Sequence, residues 1–209
     1  MKITRIQIIT NTISALPAAA LILRLTQGNL SANPIQAMTI LTGRTAVYLL
    51  LISLFCTPLF NILNMSMFIQ IRKTTGLFAF YYSLFHFLIF SVLDYQLNFA
   101  WILPEIKQKP FLQIGFGALI LLGALAITSI QSIKKSLGKW WARIHRLVYV
   151  LASLIMIHIS LASKGDIIDP IILISVFLFA MVWRIPLLQN IHLQRQPKWA
   201  RDLNTFLSQ

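Results

Sequence analysis

Residues Lys139–Lys164, KWWARIHRLVYVLASLIMIHISLASK, decide how the chain is read. A basic, tryptophan-rich start leads into an apolar run long enough to cross a bilayer, which needs roughly 20 residues. Two of the four histidines lie in it: His145 near its start and His158 deep in the apolar part. Imidazole is costly to bury in lipid, so an intramembrane histidine is a candidate functional group.

The rest of the chain fits the same setting. Of its 209 residues, 57% are hydrophobic and 11% charged, and the mean hydropathy is +0.76. Soluble domains carry roughly 25% charged residues. Apolar runs at about 6–26, 45–63, 75–93, 111–130, 144–163 and 168–188 predict six transmembrane helices in one all-α integral membrane bundle. Lys2, Arg5 and Ala18-Ala19-Ala20 also fit a signal peptide; the first run is read as an uncleaved span.

The net charge of +13 does not indicate nucleic acid, because the basic residues flank apolar segments. With the N-terminus inside, thirteen of the 18 Lys and Arg fall in inner segments and five (Arg24, Arg44, Lys107, Lys109, Lys164) in outer ones. That bias predicts both termini in the cytoplasm. The outer loops are expected at about 27–44 and 94–110, and a tight outer turn at Lys164–Pro170 makes the last two spans neighbours. Residues 1–188 form the predicted membrane domain. The tail 189–209, with Trp199, Leu203, Phe206 and Leu207 among basic residues, predicts a short amphipathic helix on the inner leaflet. The chain shows no internal repeat. Its lone cysteine, Cys56, excludes an internal disulfide and a CxxC site.

Two histidines match in depth. His86 lies eleven residues from the expected start of the third span, and His158 lies thirteen after His145. At 1.5 Å per residue both sit about 16–20 Å from the inner boundary. Two imidazoles at one depth, on spans running in the same direction, suit the two axial positions of one haem iron. The bland alternative is that each bonds a neighbouring helix. Zinc fits less well, because it takes four ligands. For His145 a single-histidine haem, a quinone site and a flavin contact all stay open, and His192 is another inner-edge candidate. Arg44, Arg72, Arg143 and Lys139 are candidates to pair with haem propionates or a flavin phosphate. Gly76, Gly115, Gly117 and Gly123 would let a helix or a flat macrocycle come close. No acid lies mid-span, and no Ser–His–Asp set, phosphate loop or carboxylate pair is present. This argues against coupled transport and substrate-bond chemistry, although a haem-free transporter or assembly protein is the rival reading.

The combination of motifs resembles the MsrQ (formerly YedZ) family of the ferric-reductase-like transmembrane superfamily. It comprises Thr42-Gly43-Arg44, Arg72-x-x-x-Gly76-Leu77, His86, Thr128-Ser129-x-Gln131, Leu137-Gly138-Lys139-x-Trp141-x-x-x-His145-x-x-Val148-Tyr149 and His158. The resemblance implies a bacterial inner-membrane b-type cytochrome. Such a protein takes electrons from the quinone pool, with FMN also associated, and passes them to MsrP, a periplasmic molybdopterin enzyme that reduces methionine sulfoxide in oxidised proteins. It implies that His86 and His158 are haem-ligand positions and that His145 is the family's third histidine. Lacking a cytosolic flavin and nicotinamide domain, a chain of this kind draws on membrane quinol or a separate reductase. A cytochrome b subunit for a different redox partner is the alternative within the same class.

Overall fold

The computed structural model describes residues 4–163, 168–184 and 205–206. Among the described residues there are helices and no strands. In chain order they are α1 (Arg5–Thr26), α2 (Pro34–Leu63), α3 (Met67–Leu88), which runs on as a π-helical turn Ile89–Asp94, α4 (Phe99–Gln108), α5 (Pro110–Ile127), α6 (Gln131–Leu137), α7 (Lys139–His145), α8 (Val148–Ala162) and α9 (Ile168–Val182). Five apolar helices are long enough to cross a bilayer: α1, α2, α3 with its π turn, α5, and α7 with α8. The sixth apolar helix, α9, has 15 residues. Large apolar side chains stay exposed along these helices, Ile13, Ile120, Leu161 and Ile172 among them. Such surface is stable in lipid, where a helix satisfies its backbone polar groups within itself. The protein is a multi-pass membrane protein.

Several boundaries differ from the sequence reading, each for a local reason. Asn33-Pro34 is a helix start: Asn33 Oδ1 accepts from Gln36 N–H at 3.1 Å, and Pro34 takes the first helical position. The loop expected over 27–44 is therefore helical from Pro34. α3 begins at Met67 and carries Gln70, Arg72 and Lys73 in its first turns, so polarity hid a start eight residues ahead of the apolar run. The 94–110 loop contains α4, capped by Asn98 Oδ1 on Ala100 N–H at 3.1 Å. The predicted turn at Lys164–Pro170, the amphipathic tail and His192 lie wholly or largely outside the described residues.

The chain divides into two compact units. The first comprises residues 1–30, 45–79 and 176–209. Within it, Ile6, Thr10 and Ser14 are the buried residues of α1, and the Thr4 hydroxyl donates to the Gln70 side-chain oxygen. Ser53 donates to the Arg72 carbonyl at 2.9 Å, Arg184 to the Leu54 carbonyl at 2.6 Å, and Phe55 meets Phe179 at 6.1 Å. The second unit comprises residues 31–44 and 80–175. Its centre is the packing of α5 on α8. Ala118, Leu122 and Leu125 form a buried stripe at helical spacing on α5, while α8 buries Leu151, Ala152 and Met156. Gly138, at φ +48°, makes the corner between α6 and α7, a backbone that an L side chain rarely adopts. There Lys134 lies over the Trp141 ring at 4.2 Å.

Candidate functional site

The second unit brings His86 of α3 and His158 of α8 together. Their ring centres are 6.3 Å apart and their planes perpendicular, at 90°. Each ring is held in the same way. His86 Nδ1 lies 2.9 Å from the Thr39 carbonyl oxygen on α2, and His158 Nδ1 lies 2.7 Å from the Phe111 carbonyl oxygen on α5. A carbonyl oxygen has two lone pairs, so it can accept a second hydrogen bond; the Thr39 oxygen also accepts from the Thr42 hydroxyl at 3.2 Å. A carbonyl only accepts, so both Nδ1 atoms carry hydrogen and Nε2 is the nitrogen left with a lone pair. Metal-ligating histidines commonly show this arrangement, donating the second N–H to a carbonyl that fixes tautomer and ring orientation.

Room for the rings comes from two glycines. A Cβ at Gly43 would stand 3.0 Å from His86 Nδ1, and one at Gly115 would stand 2.7 Å from both His158 Nδ1 and Cε1. Phe111 borders the His158 ring at 6.1 Å, and Phe87, next to His86 in sequence, meets Phe116 at 5.7 Å in a tilted contact.

The spacing suits one metal between the rings. Two metal–imidazole bonds of about 2.0–2.1 Å, with ~1.1 Å from each nitrogen to its ring centre, put the centres roughly 6.2–6.4 Å apart. Among the described residues no cluster of three or more His, Cys, Asp or Glu could hold a metal ion. A porphyrin brings four nitrogen ligands of its own and would ask the protein for only such a pair.

The other predicted site residues lie elsewhere. His145 ends α7, where its Nε2 is 3.1 Å from the Thr128 hydroxyl and its ring lies 4.3 Å from Trp141. Thr128 Oγ1 already donates to the Ala124 carbonyl at 2.8 Å, so it accepts from His145 Nε2–H. Trp141 Nε1–H donates to the Thr128 carbonyl at 3.1 Å. Arg44 forms an ion pair with Asp169, both side chains part-exposed, which gives its guanidinium a protein carboxylate as partner. Arg72 belongs to the first unit, where it donates to the Thr57 hydroxyl at 3.2 Å. Arg143 lies over Trp140 at 4.6 Å. Beyond the spans, Glu105 pairs with Lys109 and holds its ammonium pKa above the usual lysine value.

Comparison with known proteins identifies the family. The family described as "Ferric reductase like transmembrane component" matches residues 42–156, a segment containing His86 and His145 and ending two residues before His158. The chain belongs to this family. Its relatives include proteins named "Protein-methionine-sulfoxide reductase heme-binding subunit MsrQ". That of Herminiimonas arsenicoxydans is 38% identical over 174 residues, covering 80% of each chain. Those of Bordetella pertussis and Brucella anthropi are each 35% identical over 158 residues, covering 75% and 76% of this chain and 77% and 71% of the relative. The resemblance to the MsrQ family read from the short motifs is thereby shown.

Within this ferric-reductase-like chain, the sequence reading missed the acceptors. Thr39 and Phe111 act through backbone oxygens, to which side-chain identity gives no clue. A signal nonetheless existed. Each acceptor lies 47 residues before its histidine, and a glycine follows each acceptor by four residues, one helical turn on. This is a local repeat in a chain that shows none by sequence similarity.

Proposed function

We propose that the chain is the haem-binding membrane subunit of a protein-methionine-sulfoxide reductase system. The observation carrying this reading is the His86–His158 pair: 6.3 Å between ring centres, with both Nδ1 atoms committed to carbonyls. The MsrQ relatives, named as haem-binding subunits, support the same conclusion.

His86 and His158 would hold a haem b through Nε2, with the Thr39 and Phe111 carbonyls holding the rings against rotation. The iron supplies a one-electron carrier when bound. Phe111 borders the His158 ring, and each Nδ1–H stays committed to its carbonyl. These residues suit electron passage and offer no group for substrate chemistry.

The remaining parts of the proposal follow from the family resemblance and the charge pattern. The chain spans a bacterial inner membrane six times, with residues 1–188 as the membrane domain, 189–209 as an inner-leaflet tail and both termini cytoplasmic. It takes electrons from membrane quinol, with FMN as an associated flavin, at the inner end marked by His145. It delivers them to a periplasmic molybdopterin reductase like MsrP. Arg44 and Arg72, candidate anion partners by sequence, pair here with Asp169 and with the Thr57 hydroxyl.

The test is a reduced-minus-oxidised spectrum of the purified protein with haem stoichiometry, followed by quinol-driven reduction of a purified MsrP-like partner. Sharp b-type bands and electron delivery are expected. Colourless protein from haem-replete cells removes the proposal; coloured protein that reduces some other soluble partner keeps the cytochrome and changes the partner.

A further inference from the structure

The two histidines have equivalent supports, and this equivalence carries a consequence for the electronic state of the bound group. The inference rests on the haem reading above and adds to it the roles of Gly43 and Gly115. Each glycine faces the ring of one histidine, at 3.0 Å (His86 Nδ1) and 2.7 Å (His158 Nδ1 and Cε1) from where a Cβ would stand. Each ring is also tied at Nδ1 to the carbonyl one turn before that glycine. Ring position and ring rotation are thus fixed by the same helical turn, once on α2 and once on α5. Gly117, two residues beyond Gly115, has nothing within 4 Å of a Cβ, so its neighbourhood does not require glycine in this way.

We propose that Gly43 and Gly115 are positioning residues that, with the Thr39 and Phe111 carbonyls, lock the two axial imidazole planes perpendicular to one another. The 90° between the rings is the observation that states the outcome. Each imidazole plane lifts the degeneracy of the iron orbitals that bond with its π system. Two parallel planes act in the same direction, whereas two perpendicular planes oppose each other and leave those orbitals nearly degenerate. A low-spin ferric haem so ligated gives a strongly anisotropic magnetic resonance signal with one dominant low-field feature, whereas parallel planes give a three-line rhombic signal. The Nδ1–H···O=C bonds also make each imidazole a stronger donor, which favours the ferric state and lowers the midpoint potential.

An alanine at either glycine pushes its ring off the helix and strains the carbonyl bond. The Gly115→Ala contact is the tighter of the two and has the larger expected effect. Losing such an outer partner costs metal sites roughly 10–100-fold in affinity or activity. The readouts are spectroscopic and do not depend on turnover.

The experiment is low-temperature electron paramagnetic resonance and a redox titration on the full chain purified in detergent, comparing wild type, Gly43→Ala, Gly115→Ala and Gly117→Ala. The wild type is expected to show the single low-field feature. Gly115→Ala, and less strongly Gly43→Ala, shift intensity to a rhombic or high-spin signal and raise the midpoint potential, while Gly117→Ala matches wild type. A rhombic low-spin signal in the wild type overturns the perpendicular lock. So does a wild-type signal and potential in both Gly43→Ala and Gly115→Ala at full haem content. If Gly115→Ala does not accumulate, the wild-type signal and Gly43→Ala still decide. Absence of any low-spin haem in the wild type is a different result: it sinks the haem reading, and this inference with it.

Discussion

His158 and His145 stand thirteen residues apart in one stretch of chain, yet the structure uses them in opposite ways. His158 gives Nδ1 to the Phe111 carbonyl, backs onto Gly115 and faces His86 across 6.3 Å. His145 gives Nε2 to the Thr128 hydroxyl and lies against Trp141 at 4.3 Å. The first bonds the protein through its inner nitrogen, the second through its outer one. In the same helical stretch, one histidine is bonded through Nδ1 and the other through Nε2, and in a metal site the nitrogen bonded to protein sets which one faces the metal.

This contrast is open to attack by substitution. The largest effect is expected from His158→Ala and His86→Ala, each removing an axial position. Both should lose the low-spin Soret and α-bands, by more than the roughly 10–100-fold in affinity that loss of an outer partner costs. A normal spectrum in either variant takes that residue out of the pair. His145→Ala should keep the low-spin bands of the His86–His158 pair, while slowing quinol-driven reduction. Loss of those bands to the extent seen in His158→Ala would erase the distinction between the two histidines.

Smaller effects test the second environment. Thr128→Val removes the hydroxyl that His145 bonds, and Trp141→Phe removes the indole N–H bonded to the Thr128 carbonyl. Each should cost about 0.5–1.5 kcal/mol, the usual net worth of one hydrogen bond, read as a lower thermal midpoint in detergent with the absorption bands unchanged. A spectral change in either would tie this corner to the cofactor after all. Arg44→Gln should do least. Its pair with Asp169 is part-exposed, and such pairs are worth about 0–1 kcal/mol. If haem content collapsed in Arg44→Gln, the arginine would be serving the cofactor and not Asp169 alone.

How much of this was legible in the sequence differs from residue to residue. His86 and His158 could be paired because apolar context makes an imidazole conspicuous and helical rise converts spacing into depth. The depth argument nevertheless started from the wrong place. α3 begins at Met67, so His86 lies about five turns into the helix. Gln70, Arg72 and Lys73 disguised those first turns as a loop. Asn33-Pro34 likewise carried a turn signal that is also a cap followed by a first-position proline, and sequence alone does not choose between the two.

The apolar periodicity and the charge bias determined by themselves that the chain is helical and membrane-bound, because in lipid no other open arrangement satisfies the backbone. The motif combination determined the family. What only tertiary structure decided is which nitrogen His86 and His158 commit to the protein. That depends on carbonyls 47 residues away in sequence, and every residue presents the same backbone carbonyl whatever its side chain. It decided, too, that Arg44 faces Asp169, since a charge pair between distant helices exists only once the packing sets their register. The 139–164 stretch carried both histidines in plain view, and the difference between them came from α5 and the Thr128 turn.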